Sequence, residues 1–218
     1  MKSKIRELIF TFNKVVSKKV FFTFILAAAV ISAKAQTSNL ADVFSLSYQQ
    51  ETLADYAGAI KLLKNVYDAR SYEINLRLGW LNYEAGLFTE SQAYYEKAIM
   101  LMPYSVEAKL GYVYPAAALG NWEKVTTQYL KVLEVDPQNT SVNYKLGNIY
   151  YGKKDYTNAY KHFEKVVNLY PFGYDALIMY AWSNYQIGKT REAKVLFNKV
   201  LLVSPGDKSA LEGLSLIK

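Results

Sequence analysis

Residues 140–173 read TSVNYKLGNIYYGKKDYTNAYKHFEKVVNLYPFG. The stretch is 34 residues long, and its proline, Pro171, belongs to an even series with Pro103, Pro137 and Pro205. Four of the five prolines therefore stand 34 residues apart. Unrelated elements of a globular domain have no reason to space prolines evenly. Stacked, near-identical helix pairs do, because a proline closes the same helix in every pair.

Counting units from 72, 106, 140 and 174 puts the proline at position 32, and further columns align. Position 15 holds Gly86, Gly120, Lys154 and Gly188, where a helix-ending residue takes a left-handed backbone. Position 20 holds Ser91, Val125, Ala159 and Ala193, small where two helices cross closely, apart from the valine. Position 24 holds Tyr95, Tyr129, Phe163 and Phe197, rings that fill the gap between neighbouring units. Apolar residues recur at helical spacing, as in Ala193, Phe197, Val200 and Leu201.

This pattern resembles the tetratricopeptide repeat (TPR), with Leu78-Gly79 and Leu146-Gly147-Asn148-Ile149-Tyr150 at its first-helix signature. The resemblance covers roughly residues 40–218. It implies an all-α fold, a right-handed α-solenoid of about five helix-turn-helix units. The units span 40–71, 72–105, 106–139, 140–173 and 174–207, followed by a short capping helix over 208–218. The first unit is two residues short and lacks the proline, as befits a terminal repeat. Pro115 lies inside a predicted first helix and is expected to kink it.

Residues 1–35 read as a secretory signal peptide: a basic stretch ending at Lys18-Lys19, an apolar run from Val20 to Ile31, then Ala33-Lys34-Ala35. Cleavage is expected before Gln36. The run is short for a bilayer span of about 20 residues, so no stable membrane span is expected after cleavage; an uncleaved inner-membrane anchor is the alternative. The leader resembles those of Gram-negative bacteria and implies a periplasmic location. It also carries six of the seven net positive charges, leaving a nearly neutral body with little attraction for nucleic acid. The chain has no cysteine, which excludes disulfides and thiolate metal sites.

In the TPR family the first helices line a concave face, with positions 5, 9 and 12 pointing into it. The resemblance thus implies a row of Phe44, Leu76, Leu110, Tyr144 and Ile178 at position 5. Position 9 gives Tyr48, Trp80, Tyr114, Asn148 and Trp182, and position 12 gives Glu51, Tyr83, Ala117, Tyr151 and Tyr185. These rings either pack against neighbouring helices or form a trough for a protein or extended peptide. Position 5 is never lysine, so the family's carboxylate clamp for acidic chain ends is excluded.

No catalytic, cofactor or metal signal emerges. His162 is the sole histidine and reads as a packing residue. Gly188-Lys189-Thr190 lacks the earlier glycine of a phosphate loop, with Ser183 standing there instead. Asn139-Thr140-Ser141 forms a glycosylation sequon where a helix cap is expected anyway. The chain therefore reads as a non-catalytic, exported scaffold or adaptor. A structural subunit of a cell-envelope or secretion complex, or a glycan- or peptidoglycan-binding module, are the alternatives.

Overall fold

The computed structural model describes residues 40–217, all of whose regular elements are α-helices. The expected leader lies outside the described residues. The chain divides into two compact units between Asp68 and Ala69. The first contains α1, covering 40–52, and α2 (Tyr56–Asn65), with Val43, Ala59, Ile60 and Leu63 buried.

The second unit carries the 34-residue period in its helix bounds. Its first helices are α3 (Tyr72–Glu84), α5 (Val106–Ala118), α7 (Thr140–Gly152) and α9 (Tyr174–Gln186). Its second helices are α4 (Phe88–Leu101), α6 (Trp122–Val135), α8 (Tyr156–Leu169) and α10 (Thr190–Val203), and α11 (Lys208–Leu216) follows. Each helix packs on the next in the chain, so this unit is an α-solenoid. Pro103, Pro137, Pro171 and Pro205 each stand two residues past the end of a second helix. Around Pro115 the helix keeps the same 13-residue length as its counterparts.

The helices stop and start for repeated local reasons. Gly86, Gly120 and Gly188 adopt φ of 75°, 71° and 82°. In each case this residue's amide bonds the carbonyl three residues back, and the next amide bonds the one five residues back. For the first turn these bonds are Gly86 N to Tyr83 O, 2.9 Å, and Leu87 N to Asn82 O, 2.8 Å. This paired closure satisfies carbonyls that a helix end leaves bare. Lys154 and Ala54 make the same turn at φ 61° and 57°, where a β-carbon crowds the backbone. Helix starts are capped by side chains: Ser71, Ser105, Asn139 and Asp207 accept from the amides of Ile74, Ala108, Val142 and Ala210.

A second device ties the turns between units. Asn75 donates to the carbonyls of Ala69 and Ser71, and Asn143 to those of Pro137 and Asn139. At the equivalent place Lys109 is buried, and its ammonium reaches Pro103 O and Ser105 O. Burial, before the repulsion of Lys131, lowers its pKa. The tyrosines that open two first helices also reach forward one unit. Tyr72 Oη lies 2.8 Å from Ser105 Oγ, and Tyr174 Oη donates to Asp207 Oδ2 at 2.7 Å.

The core follows the ring column. A β-carbon on Gly79 would stand 2.9 Å from the Tyr95 ring, and one on Gly111, in the next unit, 2.2 Å from it. Gly147 is equally close to Phe163, and Gly213 of α11 to Phe197. Each ring fills space that only a missing side chain leaves open.

Lys154→Gly should raise stability by about 1 kcal/mol, by removing β-carbon strain at positive φ. Gly120→Ala should lower it by a similar amount. Urea unfolding of both variants measures the pair; a loss of stability in the glycine variant would contradict the strain argument.

Candidate docking cleft on the first-helix row

The row expected from the sequence is distributed unevenly between burial and solvent. Phe44 and Tyr48 belong to the first compact unit, half-buried and exposed respectively. In the second unit Leu76 and Leu110 are half-buried against the hydrophobic core. Ile178 is only 8% exposed and belongs to the core around Phe197. Tyr144 rests half-buried on Phe163, ring centres 5.9 Å apart. Trp182 stacks edge-on against Phe197 at 5.0 Å and Tyr185 at 5.7 Å, and its indole N–H donates to Ser209 Oγ. That pair serves the junction with α11.

Around the middle of the row the structure brings residues together. Trp80, Tyr83 and Tyr114 form one aromatic cluster, with centres 5.5–6.3 Å apart. Tyr114 remains 52% exposed. Beside it opens a cleft of about 740 Å³. Tyr83, Val113, Tyr114 and Ala117 line one side, and Trp122, Val125 and Tyr129 of α6 line the base. Lys145, Asn148 and Ile149 of α7, with Lys153 just past its end, line the opposite side. Tyr151, one helical step off, is half-buried against Tyr156 at 5.1 Å, and burial, ahead of Tyr156, raises its pKa. The Tyr129 hydroxyl is pushed up to about 12, by burial first and Tyr114 second. The lining is thus uncharged save for the two lysines and, apart from these and Asn148, largely apolar.

The cleft opens where this unit departs from its neighbours. At position 12 the other three units between 72 and 207 carry Tyr83, Tyr151 and Tyr185, and here stands Ala117. In two of those units the ring packs on an aromatic that opens the second helix: Tyr83 on Phe88, 5.8 Å, and Tyr151 on Tyr156. Trp122 occupies that opening place in the third unit, but it faces an alanine and is left 52% exposed. Val113 and Val125 add to the difference, branched where the neighbours have Gly79, Gly147 and Ala181, or Ser91, Ala159 and Ala193. Sequence reasoning missed Trp122. The signal was present as a further aligned column, Phe88, Trp122 and Tyr156, broken by Thr190.

The other polar features have structural explanations. His162 stacks on Tyr150, centres 5.5 Å apart and planes 6° apart. Its Nδ1 lies 2.9 Å from Asn143 Oδ1. The Asn143 amide nitrogen already donates to two carbonyls, so Oδ1 accepts and His162 Nδ1 carries the proton. Burial, reinforced by Lys165 and Lys161, holds its pKa down at about 4. Among the described residues no group of three or more histidine, aspartate or glutamate side chains could hold a metal. Asn139 of the sequon is engaged as a helix cap, its amide nitrogen donating to Asp136 Oδ2.

Fold and row together define a helical-repeat protein of the TPR class. Profiles described as "TPR repeat" match residues 117–154, and others described as "Tetratricopeptide repeat" match 50–105, 141–172 and 175–206. The chain belongs to the tetratricopeptide repeat family. A TPR repeat-containing protein YpiA of Bacillus subtilis (strain 168) is 26% identical over 163 residues. The match covers 73% of this chain and 38% of the relative, so the chain spans about two fifths of that protein's length. The crystal structure of MamA superposes with a TM-score of 0.65 at 21% identity, covering 76% of this chain and 91% of that one. A tetratricopeptide repeat protein from Parabacteroides merdae gives 0.66 at 20% identity, covering 82% and 72%. At these identities the likeness is one of fold.

The neutral His162 makes a pH prediction. Above pH 6.5 the imidazole is uncharged folded or unfolded. Between 6.5 and about 4 the unfolded chain takes up a proton that the folded site refuses, so stability falls as the pH drops through this window. His162→Gln should lose less stability than the wild type between about pH 7 and pH 5. Equal losses, measured as urea midpoints, would remove this histidine from the pH response.

Proposed function

We propose that the chain is a non-catalytic, exported scaffold that holds a protein partner by an extended segment laid along the first-helix row, anchored in the cleft beside Tyr114 and Trp122. The observation that carries this reading is the cleft itself. Two large aromatic side chains stand half in solvent around an apolar hollow. Exposed aromatics around such a hollow are the usual anchors of recognition. Among the described residues no helix is long and apolar enough to cross a membrane. Export to the periplasm of a Gram-negative cell is proposed on the leader alone, with cleavage before Gln36.

A second reading is favoured by a different surface. Met102, Tyr104, Tyr170 and Phe172, at the turns between units, are half-exposed or more. An envelope or secretion complex could use this edge, with the chain as a structural subunit.

Crosslinked capture from envelope extract by the full chain separates the two. Tyr114→Ala with Trp122→Ala should reduce capture about tenfold or more, the scale of lost interface hot spots. Tyr104→Ser with Phe172→Ser should leave it intact. The reverse pattern would replace the first reading by the second. The share of binding that comes from apolar burial should weaken little with added salt. N-terminal sequencing of the chain from fractionated cells tests the export reading, which fails if the leader is intact and the protein cytosolic.

A further inference from the structure

The geometry points to a recognition rule for the docked segment: an acidic residue, a large apolar residue and a second acidic residue at alternate positions of an extended chain. The inference rests on the docking reading above and adds the chemistry of the partner.

It follows from the wall that α7 gives the cleft. Lys145, Asn148 and Ile149 follow one another at helical spacing on α7, Lys153 caps the helix four residues on, and all four line the cleft. The lysines mark the two ends of this wall, eight residues apart, or about 12 Å along the helix. No carboxylate lines the cleft, and neither lysine is ion-paired among the described residues. In an extended peptide, residues i and i+4 are about 13 Å apart, and i, i+2 and i+4 point to the same side. Acids at i and i+4 then meet Lys145 and Lys153. The side chain at i+2 enters the hollow that Ala117 leaves between Tyr114 and Trp122. A uniformly acidic segment would leave this hollow unfilled, and a purely apolar one would leave both lysines without partners.

Three heptapeptides with blocked ends test the rule: Gly-Asp-Ser-Phe-Ser-Glu-Gly, its neutral form Gly-Asn-Ser-Phe-Ser-Gln-Gly, and the shifted form Gly-Ser-Asp-Phe-Glu-Ser-Gly. The readout is the indole N–H resonance of Trp122 in the full chain, assigned with Trp122→Phe. The first peptide should bind about fivefold more tightly than either control at about 50 mM salt, as expected for two exposed ion pairs. Lys145→Gln with Lys153→Gln should abolish that margin while the affinity for the neutral peptide stays unchanged. Equal affinity for the first and shifted peptides would overturn the alternation. Equal affinity for all three, with the Trp122 signal moving, would overturn the acidic preference and leave the docking reading standing. An unmoved Trp122 signal with every peptide, or movement only with a cell-wall tetrasaccharide, would overturn both.

Discussion

Cohesion along this array depends on a ring held where no β-carbon fits. Tyr95 is pressed between Gly79 of its own unit and Gly111 of the next, Phe163 lies against Gly147, and Phe197 against Gly213 of the closing helix. These contacts are made within a hairpin and to the hairpin that follows. Stability is then a sum of nearest-neighbour terms. Asn75, Lys109 and Asn143 tie the turns that enter three of these hairpins.

The same rule explains why one unit can differ without unravelling the rest. Val113 replaces the small residue under the ring, and Lys145 stands where Gly111 and Gly213 stand in other units. Ala117 removes a ring from the exposed row. The outcome is confined to the junction of α5, α6 and α7, where the apolar cleft lies. The capping turns on either side keep their geometry, at Gly120 with φ 71° and at Lys154 with φ 61°. An apolar hollow thus accompanies side-chain exchanges at Val113, Ala117, Val125 and Lys145 on an unchanged backbone period.

Much of the fold was legible because its signals are backbone signals. Pro171 and its counterparts mark helix ends that the chain must respect, and Gly86, Gly120 and Gly188 mark turns that other residues enter at a cost. The row of first-helix residues could also be written down from spacing. Its division into packed and open members could not, because that depends on what lies opposite. Ile178 and Tyr114 both occupy the row, yet the first is covered by the core around Phe197 and the second faces a gap. The gap comes from an absence, the missing ring at Ala117, and a vacancy opposite Trp122 becomes visible only when two helices are placed side by side. Lys109 shows a related limit. A lysine read in isolation suggests solvent, whereas this one substitutes for an asparagine in holding carbonyls.

The last hairpin, 174–207, is built without several of these fastenings. Gly173 and Lys189 provide no side-chain cap to α9 or α10, and Leu177 stands where the turn-clamping asparagine or lysine stands in the three units before it. What secures this end is chiefly the apolar seat of Phe197, with Trp182 bound to Ser209 and Tyr174 to Asp207. A ladder whose final rung is held mainly by grease has a direction. Within 69–217, fewer clamps at the carboxyl end than in the middle imply a lower free energy of local opening there.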